Sequence, residues 1–168
     1  AAYTVQSFYD AVGNRTKCVY PETGRILLSQ YDHANRLTQI QDGSQLTAYS
    51  YDKNSNRLTC GLPNGVVTTS AFDALNRVTG MVNAKSGSNV YTVSYGYDLV
   101  GNRRSISEEV AGQPARALSY LYDDQYRLKL EAWAGNSSTY TYDLAGNRLT
   151  MVKNSVTTTC LYEPLRYF

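Results

Sequence analysis

The chain has 168 residues, 18% of them charged, and a net charge of +2 with basic residues spread through every segment, so no basic stripe argues for nucleic acid. Sixteen tyrosines against three phenylalanines, together with many threonines, predict strands with one packing face and one wet face, and hence an all-β protein. No apolar run reaches the ~18 residues of a membrane helix and no basic, apolar and small-residue leader opens the chain, so neither a membrane span nor a self-carried export signal is expected.

In chain order a Tyr-Asp dipeptide returns with Asn-Arg shortly after it. The copies are Tyr9-Asp10 with Asn14-Arg15, Tyr31-Asp32 with Asn35-Arg36, Tyr51-Asp52 with Asn56-Arg57, Phe72-Asp73 with Asn76-Arg77, Tyr97-Asp98 with Asn102-Arg103, Tyr122-Asp123 with Tyr126-Arg127, and Tyr142-Asp143 with Asn147-Arg148. Tyr162-Glu163 with Arg166 is a degenerate eighth copy. The leading aromatics stand 20 to 25 residues apart, so one supersecondary unit is copied end to end and residues 1–168 read as a single array.

Aromatics two apart precede several motifs, as in Tyr49 with Tyr51, Tyr95 with Tyr97, Tyr120 with Tyr122 and Tyr140 with Tyr142. A period of two puts each pair on one strand face. Segments such as Arg36–Ile40, Arg77–Val82, Arg127–Leu130 and Arg148–Val152 read as return strands, and Asp42-Gly43, Asn64-Gly65, Ser86–Asn89, Ala111–Gln113, Ala134–Asn136 and Lys153–Ser155 as reverse connections. The unit is therefore a hairpin. Ala115–Ala134 contains helix-favouring residues, but the sixth motif falls within it in register, which outweighs propensity.

Asp opening a reversal accepts backbone N–H groups about two residues on, and Asn near its end tolerates the left-handed conformation that closes the loop. Tyr126, in place of Asn, is expected to carry strain or to use another loop geometry. The step from leading aromatic to Arg is six residues in the odd-numbered copies and five in the even-numbered ones. Since neighbouring residues face opposite ways, the extra residue must turn Arg over or be absorbed by a longer loop or bulge; a longer loop is the expectation, because the same Asn-Arg pair ends both forms. The longer period is then two hairpins, with 42, 46 and 45 residues between Tyr9, Tyr51, Tyr97 and Tyr142.

A Tyr, Asp and Arg set made once per hairpin is distributed like an architectural part. Rings can stack on neighbouring rings or guanidinium groups while Asp holds turn amides and pairs with Arg. The competing reading is a carbohydrate-binding or adhesion module using exposed tyrosine rows. His33 has no nucleophile motif beside it. Glu108-Glu109 and Asp123-Asp124 read as a solvated strand end and a turn opening rather than an acid/base couple, and Gly101-Asn102 and Gly146-Asn147 as hairpin loops rather than phosphate loops. No catalytic residue, cofactor or metal is expected. Cys18, Cys60 and Cys160 lack zinc spacing. Cys18 and Cys60 share a place in their repeats, which could align them in one column, but three isolated, buried thiols are the expectation. The connections at Asn83–Asn89 and Ala111–Pro114 lengthen two units and are the candidate places for local specialisation.

The stretch Tyr142-Asp143-Leu144-Ala145-Gly146-Asn147-Arg148-Leu149-Thr150 resembles the YD repeat of the Rhs family, which includes bacterial Rhs polymorphic toxins, Tc-toxin cocoon proteins and animal teneurins. The resemblance covers about Phe8 to Arg166. It implies antiparallel hairpins forming a twisted or spiralling sheet, the wall of a shell that commonly encloses a toxin domain, or a surface fibre acting in adhesion. A secreted or cell-surface bacterial setting goes with it. So do partners of three kinds: flanking YD repeats or other copies of the chain, an encapsulated toxin domain, and surface glycans. The family's core-closing segment with its autoproteolytic aspartates has no counterpart here, since Tyr162–Phe168 looks like another repeat, and neither cleavage nor a cargo carries over. Open strands at both ends predict self-association.

Overall fold

The computed structural model describes residues 4–162, all of them strand, turn or irregular, with no helix. The chain divides into two compact units, Ala1–Thr92 and Val93–Phe168. In the first, β1 (Gln6–Tyr9), β2 (Arg15–Tyr20), β3 (Arg25–Tyr31), β4 (Leu37–Asp42), β5 (Gln45–Tyr51), β6 (Arg57–Gly61), β7 (Val66–Phe72) and β8 (Val78–Lys85) each pair antiparallel with the next. β9 (Ser88–Tyr97) crosses the division. In the second, β10 (Arg103–Val110), β11 (Arg116–Tyr122), β12 (Leu128–Trp133), β13 (Asn136–Tyr142), β14 (Arg148–Lys153) and β15 (Val156–Thr159) do the same. Each unit is a meander, its Tyr-Asp turns on one edge and its connections on the other. The helix-favouring stretch is β11 and β12.

Period-two burial follows the sequence alternation. In β5, Thr47, Tyr49 and Tyr51 are half-buried while Leu46, Ala48 and Ser50 are exposed. β7 and β13 repeat the pattern around Phe72 and Tyr142. Only Cys18, Val93, Leu118 and Ser138 are buried among the described residues, because one sheet layer has nothing stacked on its faces.

The structure shows how one of the lengthened units is built, and it corrects the reading of the cysteines. The extra residues around Asn83–Asn89 lengthen β8 and β9, which meet at the two-residue turn Ser86-Gly87 with both φ positive. Extending a ladder satisfies backbone groups that a loop would leave to water. The cysteines differ too, since Cys18 is buried but Cys60 and Cys160 are only half-buried. Cys18 on β2 and Cys60 on β6 stand four strands apart, about 19 Å at ~4.8 Å per strand, too far for a disulfide.

The Tyr-Asp turns as the candidate functional site

All seven loops are the same length. In each, the Asp N–H donates to the carbonyl four residues on and its own carbonyl accepts from the N–H three residues on: Asp10 with Asn14 and Gly13, Asp32 with Arg36 and Asn35, Asp52 with Asn56 and Ser55, Asp73 with Arg77 and Asn76, Asp98 with Asn102 and Gly101, Asp123 with Arg127 and Tyr126, Asp143 with Asn147 and Gly146. The left-handed position is always the third after Asp, filled by Gly13 (φ 92), Asn35 (59), Ser55 (69), Asn76 (60), Gly101 (97), Tyr126 (61) and Gly146 (89). A bulge follows in both spacings, so that Tyr9 stands opposite Arg15, Tyr31 opposite Leu37, Tyr51 opposite Arg57, Phe72 opposite Val78, Tyr122 opposite Leu128 and Tyr142 opposite Arg148.

The expected longer loop is thus overturned. What slides is the Asn-Arg pair. In the five-step copies Asn35 and Asn76 take the left-handed position, and Tyr126 takes it without a change of geometry. In the six-step copies Gly or Ser already fills it, and Asn moves one place on, so the left-handed role expected of every Asn holds only for the five-step turns. The glycines at the same offset from Asp as Asn35 were the sequence signal for this, since Gly adopts that conformation at no steric cost.

The fourth residue after Asp completes a carboxylate clamp. Asp Oδ1 accepts two backbone N–H groups, from Ala34 and Arg36 at Asp32 (2.9 and 3.0 Å) and from Asn54 and Asn56 at Asp52 (2.9 and 2.8 Å). Oδ2 accepts the side chain. In the five-step turns this is a guanidinium, 2.7 Å from Nε of Arg36 to Asp32, Arg77 to Asp73 and Arg127 to Asp123. In the six-step turns it is an amide, from Asn14 to Asp10, Asn56 to Asp52, Asn102 to Asp98 and Asn147 to Asp143, at 2.8 to 2.9 Å.

These bonds hold all seven carboxyls below the ordinary aspartate range. The backbone amide of the fourth residue contributes most at Asp32, Asp73 and Asp123. At Asp10, Asp52 and Asp143 the Asn side chain does. At Asp98 desolvation is the largest influence and opposes the shift, but the Asn102 and backbone bonds together outweigh it.

The same residues join successive hairpins. Five motif tyrosines donate their hydroxyls to a backbone carbonyl of the hairpin before: Tyr31 to Arg15 (3.1 Å), Tyr51 to Leu37 (2.8 Å), Tyr122 to Arg103 (2.9 Å), Tyr142 to Leu128 (2.8 Å) and Tyr162 to Arg148 (3.0 Å). Phe72 has no hydroxyl for this. Tyr162 carries out the role from the degenerate eighth copy, whose Glu163 and Arg166 lie outside the described residues. Arginines at the fourth position reach forward: Arg36 donates to the Asp52 carbonyl (2.7 Å) and Ser55 Oγ (3.2 Å) and lies 4.8 Å from the Tyr51 ring centre, and Arg127 donates to the Asp143 carbonyl (3.1 Å) over Tyr142 (4.7 Å). Arginines at the fifth position lie over rings of their own hairpin, Arg57 over Tyr49 (5.7 Å), Arg103 over Tyr95 (4.9 Å) and Arg148 over Tyr140 (5.8 Å), and Arg148 also bonds Cys160 past β15. Asparagine amides add a link, from Asn14 to Asn35 Oδ1 (3.0 Å) and from Asn54 and Asn56 to Asn76 Oδ1 (3.0 and 2.8 Å).

Elsewhere the polar groups do not converge. His33 is exposed at a turn tip. Glu108 pairs with Arg116 at 3.8 Å across the strands, while Asp124 is exposed beside the clamped Asp123. A hollow of ≈ 400 Å³ lined by Gly24, Arg25, Ile26, Leu28, Gln41, Asp42 and Gly43 has its two charged groups bonded to each other at 2.6 Å. No cluster able to hold a metal occurs among the described residues.

Residues 2–62 match the teneurin YD-shell family model. Over that stretch the chain is similar to the teneurin YD-shell. Its fold is that of solved Tc-toxin structures: the Photorhabdus luminescens Tc holotoxin pore (TM-score 0.75, 21% identity, covering 94% of this chain and 9% of that one) and TcdB2-TccC3 (TM-score 0.76, 21% identity, 94% and 10%). The chain spans about a tenth of the length of these neighbours. No curated protein matches the sequence.

Proposed function

We propose that the chain is a non-enzymatic wall segment of an Rhs-type shell, exported with its parent protein and built to pair with flanking YD repeats around an enclosed toxin domain. The observation that carries this is the use made of the motif: hydroxyls, guanidinium groups and asparagine amides hold one hairpin to the next, carboxylates lock the turns, and no convergent polar cleft is seen among the described residues. Strands with one half-buried and one exposed face suit a partition between two compartments. The half-buried tyrosines carry guanidinium groups on their rings and bond through their hydroxyls, which also counts against sugar stacking on tyrosine rows. Open edges at β1 and β15, all of whose residues are exposed, support association with further strands.

The test is protease protection. A cargo domain fused behind the array with its flanking repeats should resist digestion under conditions that destroy the free cargo, and digestion at the same rate would refute the wall reading. Light scattering across concentration checks the edges, with growth beyond monomer expected.

A further inference from the structure

The outer edge of β1 selects its neighbour by turn type. We infer that it is a docking site for a five-step YD hairpin, with Arg four residues after its Asp, and not for a six-step one. The inference rests on the wall reading and names the partner that reading leaves unspecified.

Three groups of the first turn lack what their equivalents have. Tyr9 is 61% exposed, and its hydroxyl has no hydrogen-bond partner among the described residues, whereas Tyr51 and Tyr142 donate to the preceding hairpin. No guanidinium covers the Tyr9 ring among those residues, whereas Arg36 and Arg127 cover Tyr51 and Tyr142. The Asp10 carbonyl accepts only from Gly13, whereas those of Asp52 and Asp143 also accept from Arg36 and Arg127. All three gaps lie on the side from which a preceding hairpin would approach.

The turn type follows from reach and from acceptors. Arg36 and Arg127, which bond the following turn, sit at the fourth position of five-step turns, and the turns they bond are six-step, as the Asp10 turn is. A six-step hairpin would present Asn at that place. Asn14 and Asn56 bond forward only because Asn35 and Asn76 offer a side-chain oxygen at the left-handed position. The Asp10 turn has Gly13 there, which offers none. A six-step neighbour would therefore pair its strand with β1 and give the Tyr9 hydroxyl a carbonyl, but leave the Tyr9 ring and the Asp10 carbonyl unmet.

Two extended chains test this. Residues 25–44, this protein's own five-step hairpin and connection, are copied ahead of Tyr3, so that the copied turn leads into residues 3–9 as it natively leads into 45–51. In the second chain residues 45–65, a six-step hairpin, take that place. Hydrogen exchange of the outward amides of β1 is the measurement. The five-step extension should slow exchange about tenfold more than the six-step one, as one charge-assisted bond and its stacking predict, and Arg36→Ala in the copied hairpin alone should remove that advantage. Equal protection by both, or indifference to Arg36→Ala, would overturn the selection rule while leaving the wall reading intact. Absence of protection by either would overturn both.

Discussion

The two units use the same turn but link their hairpins differently. In the first, five-step turns hold Asn at the left-handed position, and its oxygen takes amides from Asn14, Asn54 and Asn56 of neighbouring turns. In the second, that position in the five-step turn is Tyr126, 60% exposed, at φ 61. Its backbone bonds match those of Asn35 and Asn76 within 0.1 Å, yet it has no amide oxygen to offer. The carboxylate and the backbone thus fix the reversal, while links between hairpins depend on which side chain fills each slot. A turn can stay intact and still lose a connection.

Acid should affect both units at once and most strongly, because the carboxylate clamp is what they share. Each folded aspartate lies below its unfolded value near 3.9, so the unfolded chain takes up protons first. The clamp's contribution is present above that value and lost as pH falls through the depressed folded one. Urea midpoints should be flat from about pH 5 to 8 and drop below about pH 4. A midpoint unchanged at pH 3 would mean that the clamps contribute nothing. On the alkaline side burial raises Tyr120, Tyr122 and Tyr142. Their neutral form favours the fold, stability is whole below about 10 and is lost as pH rises through the raised values, and this loss should begin in the second unit.

Removing one clamp is next in size. Asp32→Ala deletes the bonds from Ala34, Arg36 N–H and Arg36 Nε together and frees the arginine that bridges to Asp52. It should lower the melting temperature more than any single loss between hairpins. Exchange should quicken in β3 to β6 while the second unit is spared; uniform quickening would show that the damage is not local.

The hydroxyl staple is a smaller and reversible element. Tyr51→Phe removes the bond to Leu37 and should cost about 1 kcal/mol, and Phe72→Tyr, at the one motif aromatic without a hydroxyl, should gain a similar amount by reaching the Arg57 carbonyl. Denaturant midpoints with unchanged slope would measure both. A gain from Phe72→Tyr is the sharper result, since no packing loss can imitate it.

The fold was legible because every level agreed: seven Asp-led reversals, aromatics two apart, and turn residues between them. The loop-length reading failed because Asn does two jobs. At the third position after Asp it is a left-handed residue, and at the fourth it is a side-chain donor, so an alignment on Asn-Arg shifts the frame by one. Aligning on Asp and asking which residue tolerates positive φ places Gly13, Asn35, Ser55, Asn76, Gly101 and Gly146 in one column. Tyr126 could not be placed so, because an aromatic is disfavoured there. The linking role of the Tyr hydroxyl was invisible for another reason: its acceptor is a backbone carbonyl, which leaves no trace in sequence.

An effect no larger than that of the staple bears most directly on the difference between the units. Tyr126→Asn puts a residue suited to the left-handed conformation where an aromatic now sits, and supplies the oxygen that Asn102, held by Asp98 at 2.9 Å, would meet on the pattern of Asn56 with Asn76. The two gains together should stabilise the chain by about 1 kcal/mol. The reverse change, Asn76→Tyr, should cost more than that, since it adds the same strain and strips acceptors from both Asn54 and Asn56. If the two substitutions are equal and opposite, strain alone separates the units. If Asn76→Tyr is the larger, the amide link carries energy of its own, and the second unit's five-step turn goes without a connection that both five-step turns of the first unit make.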